Sequence, residues 1–186
     1  MASEQLLCAK KEYCKKQVFT SLKAIHVVPF ETGNVELNKY LSFFLHRAPN
    51  ISSSHATVVL PEKQNMLWAS MFENRRFVIK DFCSSNTPIE KRMTPAGLGG
   101  NRICLKCKRF VCKRKKATNG VTETDFDCFL RHIRNSIAHG NVHYQNAGNR
   151  IFIVFDDYSD TKKLSARIVC LRADLEHWYK TLTKNN

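Results

Sequence analysis

The sequence predicts a mainly α fold, a bundle of about five helices in a single domain over residues 1–186, with a small β-hairpin inserted before the last helix. Three observations carry that expectation. Apolar residues recur at helical steps of three and four in five separate stretches. Strand-like composition is clear only late, in residues 151–155 and 165–171, which are rich in Ile, Val and Phe and flank the turn-rich run Asp156-Asp157-Tyr158-Ser159-Asp160. With 186 residues, 43% of them hydrophobic, the chain is long enough to bury one core without disulfide staples.

The first helix is expected over residues 3–25, with Ser3 as N-cap and Cys14, Val18, Leu22 and Ile25 on its apolar face. The second runs from about 34 to 46. Asn34 can cap it, and Leu37, Tyr40, Leu41, Phe44 and Leu45 fall at i, i+3, i+4, i+7 and i+8. Pro61 opens a third, to about Phe82, on a seam of Leu67, Met71, Val78 and Phe82. The fourth begins at Thr122 or Thr124, each with an acidic residue three positions on, and carries Phe126, Phe129, Leu130, Ile133 and Ile137 as one stripe. Gly140 stops it. The fifth, residues 173–182, places Leu175, Trp178, Tyr179 and Leu182 together.

Residues 84–121 show no periodicity and are punctuated by Pro88, Pro95, Gly97, Gly99, Gly100 and Gly120, so an irregular loop is expected there. The chain's net charge is +14, and almost all of it lies early. Residues 1–121 hold 21 Lys and Arg against 8 acids, whereas residues 122–186 hold 9 against 8. Within the loop, Arg102, Lys106, Lys108, Arg109, Lys113, Arg114, Lys115 and Lys116 stand in fifteen residues without one acid. Such a block suits attraction to a phosphate backbone without sequence readout, and RNA is the expected partner. Here Lys106, Lys108, Arg109, Lys113, Arg114, Lys115 and Lys116 are the candidate contacts, joined by Arg131 and His132 from the fourth helix.

Cys104, Cys107 and Cys112 make one close pair and a straggler, short of the two pairs a structural zinc site uses. Ordinary reduced thiols account for them, so no metal or cofactor is expected. No apolar run approaches the roughly 20 residues of a membrane span. The N-terminus lacks a secretory apolar region, so a cytoplasmic protein with no membrane partner is expected.

The fourth helix concentrates polar chemistry at its end. Histidine, with an unperturbed pKa of about 6.5, can take and give a proton at neutral pH. Arginine offers a planar fork that matches phosphate oxygens. Arg134 and His139 together can therefore move a proton and stabilise charge on a phosphodiester, and RNA supplies its own nucleophile in the 2′-hydroxyl.

The string Arg134-Asn135-Ser136-Ile137-Ala138-His139 resembles the Arg-polar-x-x-x-His signature of the HEPN (higher eukaryotes and prokaryotes nucleotide-binding) family, and Gly140-Asn141 is similar to its RNase-like members. The resemblance is specific over residues 126–141. It implies a dimerising helical bundle that acts as a metal-independent endoribonuclease in toxin–antitoxin or anti-phage defence, with an antitoxin or defence-system protein as a further partner. Arg134 and His139 would be catalytic and Asn135 would orient the histidine or the substrate. The products would carry a 2′,3′-cyclic phosphate and a 5′-hydroxyl. One branch carries a modifiable tyrosine two residues after the histidine. Asn141 holds that position here, and the nearest tyrosine is Tyr144. Two other readings stay open: a non-catalytic module of the same fold that binds nucleic acid or a partner protein, and a zinc-stabilised nucleic-acid binder.

Overall fold

A six-stranded mixed β-sheet, covered on both faces, organises the chain in place of the expected helical bundle. The computed structural model describes residues 20–22, 26–48, 61–103, 107–116 and 123–184. In chain order its elements are β1 (Thr20–Ser21), β2 (His26–Val27), α1 (Val35–His46), α2 (Pro61–Phe72), β3 (Ile79–Cys83), α3 (Glu90–Met93), β4 (Arg102–Ile103), β5 (Arg109–Lys113), α4 (Asp125–Ala138), β6 (Val142–Ala147), β7 (Arg150–Tyr158), β8 (Leu164–Leu171) and α5 (Arg172–Lys184). The main sheet runs β2-β6-β7-β8-β5-β3, and β1 pairs with β4 in a separate two-stranded ribbon. Every pairing is antiparallel except β3 with β5. The architecture is α/β, so the mainly α expectation is corrected.

The correction has local causes. The expected third helix stops at Phe72, because Asn74 turns left-handed at φ 54° and ends it. Val78 and Phe82 therefore do not lie on a helix seam, and residues 79–83 become β3 instead. The expected loop contains β5, whose charged ends disguise a strand. Phe110 and Cys112 face the helices, whereas Arg109 and Val111 face the other way. The hairpin β7–β8 stands where it was expected, and a two-residue turn with Gly148 at φ 60° adds β6 to it. Residues 3–19 of the expected first helix lie outside the described residues. Residues 23–25 lie outside them as well, and between the two stretches Thr20–Ser21 is strand, with Thr20 opposite Ile103.

Two cores result. On one face α1, α2, α4 and α5 bury Leu41, Phe44, Met71, Phe129, Ile133, Leu175 and Trp178 against Phe110, Ile153, Phe155 and Ile168. The indole of Trp178 donates to the Met71 carbonyl at 2.8 Å, so its one polar atom is satisfied. On the other face Ile89, Met93, Ala96, Leu98 and Ile103 cover Val111, Phe152, Val154 and Val169. Strands buried on both faces read as continuous apolar runs. That is why residues 151–155 lack the polar alternation of a half-exposed strand. Among the described residues no helix is long and apolar enough to cross a membrane.

Candidate functional site at the end of helix α4

Helix α4 starts as its sequence suggests. Thr124 caps it, its hydroxyl accepting the Asp127 N–H at 3.1 Å and donating to the Asp127 carboxylate at 2.7 Å. Phe126, Phe129, Leu130, Ile133 and Ile137 are all buried, so the apolar stripe faces the sheet. The polar residues beside that stripe are buried too. Residues 126–133 are covered on every side, and the helix emerges only over its last turns, at Arg134, Asn135, Ala138 and His139.

The buried polar residues are committed to one another. Arg131 grips Glu123 with two donors, at 2.6 and 2.8 Å, and reaches the Lys113 carbonyl at 3.1 Å. His132 bridges β5 and β7 from the helix, with Nε2 donating to the Lys113 carbonyl at 2.7 Å and Nδ1 2.6 Å from Asp157 Oδ2. Burial works against charge on this ring and Asp157 works for it. The same Asp157 oxygen accepts from the Asn135 amide at 3.2 Å. Asn135 is thus tied through Asp157 and His132 to the backbone of β5.

Burial pushes the Glu123 carboxyl up, but the Arg131 fork and the Lys115 N–H outweigh it and hold the group below the ordinary glutamate range. A lowered folded-state pKa contributes stability above the unfolded value, about 4.3, and loses it as pH falls through the folded value. Urea midpoints measured from pH 6 down to pH 3 should therefore fall more steeply for wild type than for Glu123→Gln, the difference opening below about pH 4.5.

The helix ends in a clamped turn. Gly140 adopts φ 67°, its N–H donating to Ile137, and the Asn141 N–H closes back onto Ser136 at 2.8 Å. The Asn141 carbonyl accepts from Asp156 of β7, and the Gly140 carbonyl accepts from the His26 ring of β2. His139 sits on this turn as the C-cap. A Cβ at Gly140 would meet no atom within 4 Å, so the cost of Gly140→Ala is purely conformational. It should lower the unfolding free energy by about 1–2 kcal/mol in denaturant titrations, with Gly140→Asn costing less.

Arg134 and His139 therefore share the solvent-facing end of α4. Neither side chain hydrogen-bonds or pairs with any described residue, whereas Asn135 beside them is anchored. Arg131 and His132, expected to touch RNA, are 7% and 1% exposed and are held inside, so they support the helix and do not present to a ligand. The basic segment divides the same way. Arg109 is fully buried and holds the carbonyls of Ala96, Gly97 and Cys107. Lys108 pairs with Asp174 at 2.7 Å, and Arg114 pairs with Asp125 over the Phe82 ring. Lys113 is half-buried, Lys115 and Lys116 are exposed, and Lys106 lies outside the described residues. Cys104 also lies outside them. Cys107 and Cys112 are buried thiols, and burial pushes Cys112 well up.

Asp157, Glu123 and His26 complete the surroundings of the motif and were not singled out from sequence. Asp156-Asp157 resembled the start of a turn. Its one signal was two acids directly continuing a run that is otherwise wholly apolar, which is where a buried ion pair belongs. His26 gave no signal, since nothing local links it to a position 114 residues away.

No curated protein and no solved structure matches the chain. A family model described as HEPN pEK499 p136 matches residues 9–185, nearly its whole length. With that extent of match, and with Arg134 and His139 on one exposed helix end, the chain belongs to the HEPN pEK499 p136 family.

Proposed function

We propose that this protein is a metal-independent endoribonuclease of the toxin or anti-phage defence type. HEPN membership by itself suggests a nuclease-like or nucleotide-binding module. One observation carries the narrower reading. Along α4 the polar side chains are buried or paired, and Arg134 and His139 alone are both open and uncommitted among the described residues. A helix that satisfies its other charges internally has no structural use for these two.

In this reading the 2′-hydroxyl of RNA attacks its own 3′-phosphate. His139 moves a proton, Arg134 neutralises charge building on the phosphorus oxygens, and Asn135, fixed by Asp157, orients the histidine or the substrate. The products are a 2′,3′-cyclic phosphate and a 5′-hydroxyl. A homodimer that brings two such helix ends together is part of the proposal, as is control by an antitoxin or defence-system partner. Lys115 and Lys116, exposed on the segment after β5, favour a second reading in which the fold only binds nucleic acid. That binding would weaken with salt and on neutralising both lysines, and His139→Ala would leave it unchanged.

The test is incubation of purified protein with mixed cellular RNA in EDTA, followed by end-group analysis. Cleavage to 2′,3′-cyclic ends is the expected result. A folded preparation that cuts no RNA, from a gene whose overexpression does not slow growth, would overturn the proposal.

A further inference from the structure

We propose that His132 and Asp157 share one buried proton, and that this proton latches the end of helix α4 to the sheet at neutral pH, whether or not the protein cleaves RNA. Both residues are buried, and they meet from α4 and β7.

The proton can be counted from the contacts. His132 Nε2 lies 2.7 Å from the Lys113 carbonyl, which can only accept, so this nitrogen carries a hydrogen. Nδ1 lies 2.6 Å from Asp157 Oδ2. A neutral ring has no second hydrogen and an ionised carboxylate has none. Without a further proton, two lone pairs would face each other across that short contact. One more proton is therefore held between them, as imidazolium with carboxylate or as neutral imidazole with carboxylic acid.

The surroundings put it on the carboxyl. Burial lowers the His132 pKa, Asp157 opposes, and Arg131 adds to the lowering, with guanidinium nitrogens 3.4 and 3.3 Å from the two ring nitrogens. Asp157 Oδ1 is buried without a hydrogen-bond partner among the described residues, which suits the carbonyl oxygen of an acid better than a charged oxygen. Charge balance agrees. Arg131 and Glu123 cancel one another, so an ionised Asp157 opposite a neutral His132 would leave a net negative charge inside. The remaining titratable neighbours are Cys128 from α4 and Cys112 from β5, thiols that burial pushes up and so keeps neutral. From β8, Ala166 stands opposite Asp157.

The latch reaches the motif, because the Asn135 amide donates to the same Oδ2 at 3.2 Å. When the proton leaves, Nδ1 and Oδ2 repel, their contact opens and Asn135 loses its fixed acceptor. The end of α4 is thereby sensitive to alkaline pH.

An unfolded histidine titrates near about 6.5 and an aspartate near about 3.9, so above about pH 6.5 the unfolded chain has lost a proton that the folded pair keeps. Stability therefore falls as pH rises from there. Asp157→Asn is the informative variant, since its amide can donate to Nδ1 in the proton's place but cannot titrate. In urea melts of the full chain between about pH 6.5 and about pH 8.5, the folding constant of wild type should drop up to about tenfold per pH unit relative to Asp157→Asn. Equal pH slopes overturn the proposal. Should Asp157→Asn not fold, NMR of wild type with ¹⁵N-labelled histidine decides. A far-downfield proton bridging His132 Nδ1, persisting above neutral pH, is the expected result, and its absence overturns the proposal.

Discussion

His139→Ala should slow RNA cleavage by about 10²–10⁴-fold, the range a positioned proton carrier contributes. Arg134→Ala should cost about 10²–10³-fold, as loss of a donor aimed at developing charge does. Both should leave the melting temperature within a degree or two of wild type. His139 is exposed, Arg134 is half-buried, and neither is engaged by a described residue, so removal strands no buried partner. That separation of rate from stability distinguishes them from their neighbours. Arg131→Ala, by contrast, should unfold the protein at lower denaturant, because it abandons Glu123 at its buried contact. Single-turnover cleavage and thermal melts on the same preparations check both halves. A variant of Arg134 that cuts at the wild-type rate would remove it from the mechanism.

Asp156→Ala should be among the most destabilising single changes in the chain, costing roughly 3–5 kcal/mol, with Asp157→Ala costing less, roughly 1–3 kcal/mol. The two are adjacent on β7 and therefore point to opposite faces of the sheet. Asp156 faces the side covered by residues 89–103. There it neutralises Arg167, which is 2% exposed and also holds the carbonyls of Leu98 and Gly100. Without Asp156 a guanidinium is buried uncompensated. Asp157 faces the helices, where its loss strands His132 and the Asn135 amide, groups that can be neutral. Urea melts of the two variants should give that order. Replacing Asp156 and Arg167 together by leucine and methionine should recover most of the loss, since the pair's worth lies mainly in not leaving one partner alone. Asp157→Ala should also reduce the cleavage rate of the fraction that remains folded, because Asn135 loses its anchor.

These contrasts show where the sequence was legible. The apolar stripe of α4, a cap at Thr122 or Thr124 and the Gly140 stop follow from rules that act within one or two turns; the stripe and the stop stand in the structure, and Thr124 is the cap. The same holds for α1 with its Asn34 cap, for α5 and for the hairpin β7–β8. The sheet was not legible beyond that hairpin. β5 carries Arg109 and Lys113 in a basic block, and β3 pairs with it in parallel across a connection of 25 residues. Arg109 reads as a surface charge until the carbonyls of residues 96, 97 and 107 are brought round it.

By itself, then, the sequence determined the helix that bears the motif, the face it buries and the residues that close it, because periodicity and capping are local. Which of its polar side chains meet solvent was decided only by tertiary structure. Arg131 and His132 look as functional as Arg134 and His139 when read along the chain. They differ because the partners that hold them, the Lys113 carbonyl on β5 and Asp157 on β7, lie 18 to 25 residues away along the chain and arrive only when the sheet forms. A buried charge is tolerable only where such partners wait for it. Arg134 and His139 have none among the described residues, and they lie on the open side of the last turns of α4, while Ser136 and Ile137 between them stay buried.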